Sequence, residues 1–241
     1  MVLVPEISFI IPCFNEEKYL EKTLKSISLQ SIPREKYEII VSDGKSSDKT
    51  LEIAKKYADK VVSKKNKSIS HGRNLGARIA KGKILVFLDA DTLIKKSFSK
   101  TILNDFKNFE FDVGIPAYNF MSKKNVIIIG NMLVAKTNEL IHAFTKKCWV
   151  VSGACIVCSK KAFEEIRGFN ENLNLNEDVD FVKRISIKKK VKLINQKVYS
   201  SPRRAKKIGL VNFVIYSFKN YFSYLFNNDF RGNYEKTEDI Q

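Results

Sequence analysis

Four short apolar segments, separated by helical patterns, constrain the fold of this chain more than any other feature. All lie within the first 91 residues: ISFIIPCF from residue 7, YEIIVSDG from 37, DKVVS from 59 and KILVFLDAD from 83. The stretches between them repeat apolar residues at helical spacing, as at Leu20, Leu24 and Ile27. Strands that alternate with helices predict an α/β fold with a mostly parallel central sheet and helices on both faces.

Polar residues that commonly cap helices stand near the start of each helical pattern. We expect Asn15 to cap the first helix and one of residues 46–48 to cap the second. The third should begin at Ser68 or Ser70 and end at Gly82. The second half is less regular; its predicted elements are strands at 111–118, 149–159 and 191–201 and helices at 160–167 and 176–190.

Polar residues also follow three of the predicted strands at the point where each strand ends. Pro12–Glu16 follow the first strand, Asp43 ends the second, and Asp89–Asp91 follow the fourth. Ligands of open parallel sheets bind beyond the carboxyl ends of the strands. The sequence therefore predicts a binding site at this edge of the sheet.

Asp89 and Asp91 are separated by one residue, and in an extended chain both side chains point the same way. Two carboxylates this close repel each other unless a cation lies between them. Carboxylate oxygens suit Mg²⁺ or Mn²⁺, and Mg²⁺ is commonly held by one or two carboxylates together with substrate phosphates. The pair is therefore a candidate metal site that clamps a diphosphate; the alternative is a turn that caps a helix.

The net charge of +17, from 43 Lys and Arg against 26 Asp and Glu, indicates a polyanionic partner. An anionic membrane surface and phosphorylated small molecules both fit. Nucleic acid is not expected, because no recognised nucleic-acid-binding motif is present. The first residues do not resemble a secretory signal, and no apolar run reaches the roughly 18–20 residues of a spanning helix. We expect a cytoplasmic protein.

Two of the four cysteines, Cys155 and Cys158, have the spacing of half a zinc site. The chain supplies no second pair of this kind and only two histidines, so a zinc site is poorly provided for. In a strand, an offset of three places the two thiols on opposite faces. We expect buried structural cysteines in a reducing compartment.

Five longer segments occur in a fixed order: IPCFNEE from residue 11, VSDGKSSDKT from 41, GRNLGARIAKGKILVFLDAD from 72, SGACIVCSKKAFEEIRGFNE from 152 and NEDVDFVKR from 176. Together they resemble the inverting glycosyltransferases of family two, over residues 7–204. The resemblance implies the GT-A fold of nucleotide-diphospho-sugar transferases, with a catalytic domain at 1–204. Its nucleotide-binding half would be 1–91 and its acceptor-binding half 92–204. Beyond the resemblance, the apolar and aromatic residues of 205–241 predict an amphipathic helical extension.

The resemblance also implies a nucleotide-sugar site on the first half of the chain. Pro12, Phe14 and Glu16 would lie along the nucleotide, with the Phe14 ring near the base and Glu16 on the ribose hydroxyls. Asp43 would read the base. Arg73 would neutralise the diphosphate, because a guanidinium fork suits that oxyanion.

The remaining implied roles belong to acidic residues. Asp91 would contact Mn²⁺ or Mg²⁺ directly, and Asp89 would contact both the metal and the ribose. Asp178, with Glu177 beside it, would be the general base that deprotonates the acceptor hydroxyl, and repulsion within this acidic pair raises at least one pKa. The alternative is that Glu177 and Asp178 are only acids at a helix N-terminus.

Arg203 and Arg204 lie in an S-x-R-R element similar to one in single-addition members of the family, where it would fold over the diphosphate. The alternative is a basic surface loop. The Q-x-x-R-W motif of processive members is absent, which argues against a polymer synthase. No histidine follows His142, so the late histidine that many GT-A enzymes offer to the metal is missing.

Residues 208–226 are apolar and aromatic and follow the basic residues of 203–207. This pattern is typical of an element in a membrane interface, so 203–226 is a candidate peripheral membrane contact. Residues 126–144 form a second apolar segment. For both segments the alternative is packing onto the domain or onto a second copy in a homodimer.

The expected function is transfer of a sugar from a nucleotide sugar to a hydroxyl of a glycan, a lipid-linked glycan or a small molecule. UDP-sugars are favoured because they are the commonest donors in the family. A polyprenyl-phosphate sugar synthase is one alternative, although its ionised acceptor would leave Glu177 and Asp178 unused. A basic membrane- or nucleic-acid-binding module without catalysis is another. A nucleotidyltransferase is disfavoured, because PCFNEE has no glycine with which to cradle phosphates.

Overall fold

A computed structural model describes residues 4–65, 68–108, 112–121, 153–173, 175–209 and 212. In these ranges the strands of one mixed sheet are Ile7–Cys13 (β1), Tyr37–Asp43 (β2), Lys60–Ser63 (β3), Ile84–Leu88 (β4), Thr92–Ile94 (β5), Val113–Phe120 (β6), Cys155–Ser159 (β7) and Val191–Ser200 (β8). The helices are Leu20–Ser28 (α1), Thr50–Tyr57 (α2), Ile69–Ile79 (α3), Phe98–Asn108 (α4), Lys160–Glu165 (α5), Glu177–Ser186 (α6) and Arg203–Ile208 (α7).

The strand order is β3-β2-β1-β4-β7-β6-β8-β5. The first four neighbours are parallel, as the alternation of strands and helices predicts: β1 pairs with β2 from Ile7 opposite Tyr37, and with β4 from Ile7 opposite Ile84. Beyond β4 the sheet is mixed, because β7 runs antiparallel to both β4 and β6, whereas β6 and β8 are parallel. The α/β architecture expected from the sequence is confirmed.

Two apolar cores, one on each face of the sheet, explain why the central strands are apolar throughout. In β1, Phe9 and Ile11 belong to one core and Ile10 to the other. Cys155 and Cys158 divide in the same way, so the predicted placement of the two thiols on opposite faces is confirmed. Both thiols are buried, and burial raises the pKa of each.

Helix α3 carries the largest fully buried side chain of the described residues, Arg73, and lies directly against β1. Glycine at position 76 permits this approach, because a Cβ there would lie 2.5 Å from Ile10 Cγ2. The helix begins where predicted, with Ser68 Oγ accepting a hydrogen bond from the His71 N–H. It ends at Ile79, three residues before the predicted end at Gly82.

Other boundaries differ from the predictions. The N-cap position of α2 is Lys49, which makes no side-chain capping bond, so the cap expected at 46–48 is wrong, although Asp48 Oδ1 accepts the Thr50 N–H where the helix begins. Asn15 is not a helix cap, because α1 begins only at Leu20 and Asn15 has a left-handed φ of 53°. Strand β5 and helix α4 were not predicted; β5 has only three residues, too few for a recognisable period.

The predicted apolar segment at 126–144, Cys148, His142 and nearly all of the tail from 205 to 241 lie outside the described residues. Among the described helices, none is long and apolar enough to cross a membrane.

Candidate active site

The polar residues that follow β1, β2 and β4 lie at one edge of the sheet. Cys13, the last residue of β1, is in register with Asp43, the last of β2, and β4 ends at Leu88, one residue before Asp89. Pro12 is buried within β1, and the next residue but one, Phe14, keeps 39% of its surface exposed beyond the strand. Exposed and charged side chains therefore lie together at the carboxyl edge of the sheet.

The loops after β1 and β2 are bound to each other through Asn15, a role that the sequence interpretation missed. Its Oδ1 accepts the Ser47 N–H at 2.9 Å, and its own N–H donates to Ser46 Oγ at 2.9 Å. The left-handed backbone of Asn15 is a conformation that asparagine adopts more readily than most residues. Asparagine in a strand-ending polar cluster was therefore a turn signal rather than a capping signal.

Asp43 is completely buried beneath the β2 loop. Its carboxylate accepts the N–H groups of Lys45 and Ser46, each at 3.2 Å at the closest oxygen, and the Ser63 hydroxyl at 2.8 Å. These bonds fix the loop that would face a nucleotide. The described contacts of Asp43 thus position the loop, and contact with the base remains a prediction.

Arg73 lies at the centre of the site and is only 1% exposed. Its Nη1 donates to Glu177 Oε1 at 2.9 Å, and its Nη2 donates to Asp89 Oδ1 at 3.0 Å and to the Gly153 carbonyl at 2.9 Å. The guanidinium also lies 5.0 Å from the centre of the Phe169 ring. Burial opposes its charge, but Asp89, Glu177 and Asp178 outweigh burial and raise the pKa of Arg73.

These contacts join the two halves of the predicted site. Asp89 belongs to the predicted metal pair, whereas Glu177 is next to the predicted base, and the same guanidinium bonds both. In the described residues, the Nη atoms of Arg73 are thus used inside the protein, and its buried Nε has no partner. Arg73 neutralises two carboxylates here, and direct contact with a diphosphate stays a prediction.

Asp178 occupies the first turn of α6, beside Glu177. Its Oδ1 accepts the Val179 N–H at 2.9 Å, and its Oδ2 receives no hydrogen bond from the residues that the structure describes. Burial and then the charge of Glu177 raise the pKa of Asp178 to about 7, against the opposing effect of Arg73. Gly153 borders Oδ2, since a Cβ on Gly153 would lie 3.0 Å from it. Asp178 can therefore accept a proton near neutral pH.

Asp91 is 9% exposed and is contacted on both oxygens. Its Oδ1 accepts the hydroxyls of Ser200 at 3.2 Å and Thr92 at 3.4 Å, and its Oδ2 lies 3.2 Å from Arg203 Nε. Burial and the nearby Asp89 raise the pKa of Asp91 to about 6, although Arg203 lowers it. The side chain of Asp89 is 30% exposed and retains one carboxylate oxygen without a described partner.

Glu16 and Arg203 form a bidentate ion pair, with Nη1 and Nη2 at 2.7 and 2.5 Å from the two carboxylate oxygens. Burial opposes the charge of Arg203, but the bonds to Glu16 raise its pKa overall. The guanidinium also lies 4.9 Å from the centre of the Tyr19 ring. Both oxygens of Glu16 are therefore used by Arg203, and contact with a ribose stays a prediction. The side chain of Arg204 lies outside the described residues.

Asp89 and Asp91 fit a hard divalent cation, because both offer carboxylate oxygens. The charge of Asp89 also repels that of Asp91, and a cation would relieve this repulsion. Among the described residues, no group of three or more His, Cys, Asp or Glu side chains is placed to hold a metal.

A family model described as "Glycosyl transferase family 2" matches residues 8–167. Over 205 residues the chain is 30% identical to the minor teichoic acid biosynthesis protein GgaB of Bacillus subtilis, covering 80% of this chain and 22% of GgaB. Over 99 residues it is 33% identical to the poly(ribitol-phosphate) β-N-acetylglucosaminyltransferase TarS of Staphylococcus aureus, covering 39% of this chain and 17% of TarS. The chain thus spans about a fifth of the length of these two relatives.

Solved structures show the same fold. S. aureus TarS 1–349 in complex with UDP-GlcNAc superposes with a TM-score of 0.66 at 20% identity, covering 81% of this chain and 58% of that one. The mannosyltransferase PcManGT from Pyrobaculum calidifontis, in complex with GDP-Man and Mn²⁺, superposes with a TM-score of 0.65 at 18% identity, covering 89% of this chain and 64% of that one. With a family model that matches well over half of its residues, this chain belongs to glycosyl transferase family 2 and has the GT-A fold.

Proposed function

We propose that this protein is an inverting glycosyltransferase that moves a sugar from a nucleoside-diphosphate sugar to a hydroxyl acceptor. The observation that carries the proposal is the hydrogen-bonded bridge from Asp89 through Arg73 to Glu177. This bridge brings the acidic pair that follows β4 next to Asp178, whose carboxylate has a pKa raised to about 7. Inverting transfer needs a cation or metal site that stabilises the departing diphosphate and, close to it, a base that deprotonates the acceptor hydroxyl.

Asp89 and Asp91 would hold Mn²⁺ or Mg²⁺ together with the donor diphosphate. When bound, such an ion stabilises the negative charge that grows on the departing nucleoside diphosphate. The donor set supports this assignment, since two carboxylates plus substrate phosphates are a common arrangement for Mg²⁺. The Mn²⁺ and GDP-Man named for PcManGT are consistent with it.

Asp178 acts as the general base. It accepts the proton of the acceptor hydroxyl while the oxygen bonds to the anomeric carbon and the bond from that carbon to the diphosphate oxygen breaks. Glu177 cannot take this role as readily, because its Oε1 already accepts a hydrogen bond from Arg73 Nη1 at 2.9 Å. Phe14, with Asp43 beneath the adjoining loop, would border the base of the nucleotide.

For the donor we favour a UDP-sugar, in keeping with the UDP-GlcNAc complex of TarS. For the acceptor, the names of GgaB and TarS are consistent with a hydroxyl on a glycan or polymer, and a lipid-linked glycan fits as well. We further propose that residues 1–204 form the catalytic domain and that the protein works at the cytoplasmic face of a membrane. The net charge of +17 would favour an anionic leaflet.

The Asp91→Asn variant tests the donor site. In calorimetric titrations, the wild type should bind UDP or GDP with Mn²⁺ and lose that binding in EDTA. Asp91→Asn should bind at least about tenfold more weakly with Mn²⁺, because it removes an anionic ligand of the ion. Asp105→Asn, on α4, is the control and should bind as the wild type does. If the wild type binds no nucleotide in either condition, the proposed function is wrong.

The pH dependence of transfer tests the base. Asp178 works only when ionised, so kcat/KM should rise about tenfold per pH unit below the raised pKa and level off above about pH 7. The measurement is initial rates between pH 5 and 9 at constant ionic strength. A rate that is flat over this range would argue against Asp178 as base, and would suit an acceptor that is already an ionised phosphate.

A further inference from the structure

Arg203 is held at the metal pair by all three nitrogens of its guanidinium. Its two Nη atoms bond the two oxygens of Glu16, and its Nε lies 3.2 Å from Asp91 Oδ2. The Tyr19 ring covers the guanidinium at 4.9 Å. A planar guanidinium that bonds two carboxylates and packs against an aromatic ring occupies a defined position and is not a passing surface contact.

The oxygen that Arg203 contacts belongs to the carboxylate that we propose as the direct metal ligand. The other oxygen of Asp91 accepts the hydroxyls of Ser200 and Thr92. A cation that binds Asp91 must therefore share a carboxylate with a guanidinium only 3.2 Å away. A divalent ion and a guanidinium within about 5 Å repel each other by an amount comparable to a tenfold change in affinity, even at the dielectric constant of water.

We propose that Arg203 is a built-in competitor of the divalent cation: guanidinium and metal ion alternate at Asp91, and Glu16 keeps the guanidinium beside the site. This inference rests on the proposed function, since it takes Asp91 as a metal ligand. It gives Glu16 the role of a positioning residue for Arg203.

The backbone around the contact indicates that only the side chain has to move. The Ser201 N–H donates to the Asp91 carbonyl at 3.2 Å, and β8 pairs with β5 through Ser200 opposite Thr92. Glu16 is anchored as well, because its N–H donates to Thr50 Oγ1 at 2.7 Å. When a cation takes Asp91, Arg203 can therefore leave it and remain tied to Glu16, still close to the place where a diphosphate would carry its charge.

The role of Glu16 follows from the same geometry. Its side chain is 10% exposed, and leaving a buried charge there without a partner would be costly. Arg203 removes this cost whether or not it also contacts Asp91. The site would therefore favour a cation bound to a diphosphate over a free cation. A free cation must displace Arg203 from Asp91 without compensation, whereas a diphosphate gives the displaced guanidinium a new anion to bind.

The chain contains a matched control, Arg34. Its Nη2 bonds both oxygens of Asp59 at 2.6 and 2.7 Å, and its guanidinium lies 4.7 Å from the centre of the Tyr37 ring. Arg34→Met therefore removes one positive charge, a bonded carboxylate partner and a ring contact, as Arg203→Met does, and Arg203→Met differs in also removing the contact with Asp91. Arg34→Met does so near β2 and β3, away from Asp91.

The experiment titrates the whole chain with Mn²⁺ alone, without nucleotide, and follows free Mn²⁺ by electron paramagnetic resonance. Arg203→Met should bind Mn²⁺ about tenfold more tightly than the wild type, because it removes the competing charge. Arg203→Lys keeps a charge and should stay within about threefold of the wild type, and Arg34→Met should not change the affinity. Circular dichroism of each variant verifies that it is folded.

An unchanged or weaker Mn²⁺ affinity of folded Arg203→Met would overturn the inference, as would equal gains in Arg203→Met and Arg34→Met. Absence of Mn²⁺ binding in all four proteins would overturn it too. The proposed function is tested independently of this competition. If the wild type binds a nucleotide in a Mn²⁺-dependent way while Arg203→Met leaves the affinity for Mn²⁺ alone unchanged, the transferase assignment stands and only the competition is wrong.

Discussion

Asp178→Asn is expected to lower kcat by about a thousandfold and to leave the Mn²⁺-dependent affinity for the donor within about threefold of the wild type. Asparagine keeps the size of the side chain and can still accept the Val179 N–H that Asp178 Oδ1 accepts. It cannot take a proton from an acceptor hydroxyl. The measurement is single-turnover transfer at pH 8, where Asp178 of the wild type is mostly ionised, together with calorimetric titration of the donor.

Asp180→Asn is the matched control for this variant. Asp180 lies on the same helix turn, but it is paired with Arg184 at 2.7 Å, and Arg184 in turn donates to the carbonyls of Ile166 and Gly168. We expect Asp180→Asn to lower stability modestly and to keep kcat within about threefold. Equal losses of kcat in the two variants would show that any change of charge on α6 impairs transfer, and would argue against Asp178 as the general base.

Glu177→Gln separates the two members of the acidic pair. Because Glu177 is bonded to Arg73, its loss should reduce kcat through the position of Arg73 and Asp89 rather than by removing a base. It should also lower the pKa of Asp178, since the charge of Glu177 is one of the causes that raise it. The rising limb of the rate profile should therefore move to lower pH in Glu177→Gln, a shift that a purely structural loss would not produce.

The parts of this molecule that the sequence predicts are those encoded by local pattern. The apolar runs of β1, β2 and β4 and the helix cap at Ser68 depend on residues within a few positions of each other. Because parallel strands end at one edge, the convergence of Asp43 and Asp89 follows from the order of elements alone. The opposite faces of Cys155 and Cys158 follow from the two-residue period of a strand.

The pairings within the site depend on tertiary contacts and could not be predicted. Arg73 meets Glu177 across 104 positions of sequence, and Arg203 meets Glu16 across 187. Sequence interpretation assigned Arg73, Glu16 and Arg203 to ligands, whereas the structure pairs Arg73 with Glu177 and Arg203 with Glu16. Buried charges must be paired, and which pairs form depends on how α3, α6 and α7 pack at the end of the sheet.

Of the single variants proposed, Arg73→Met is expected to lose the most stability, about 3–5 kcal/mol in the free energy of unfolding. Methionine fills much of the volume of the arginine side chain, but it leaves the carboxylates of Asp89 and Glu177 and the Gly153 carbonyl without their hydrogen-bond donor. Two like charges near each other at a protected site then repel without a counter-charge. Urea unfolding of the variant and the wild type, followed by circular dichroism, measures the difference.

Arg34→Met is again the control, because the ion pair of Arg34 with Asp59 is about half exposed and should contribute at most about 1 kcal/mol. The double variant Arg73→Met, Glu177→Gln tests whether unpaired carboxylates cause this loss of stability. If unpaired carboxylates cause the loss, neutralising Glu177 should restore roughly 1–2 kcal/mol of the stability lost in Arg73→Met, although the same change alone destabilises the wild type. Additive losses in the double variant would show that Arg73 stabilises the fold through packing on Phe169, and that the charge bridge between the two halves of the site contributes little.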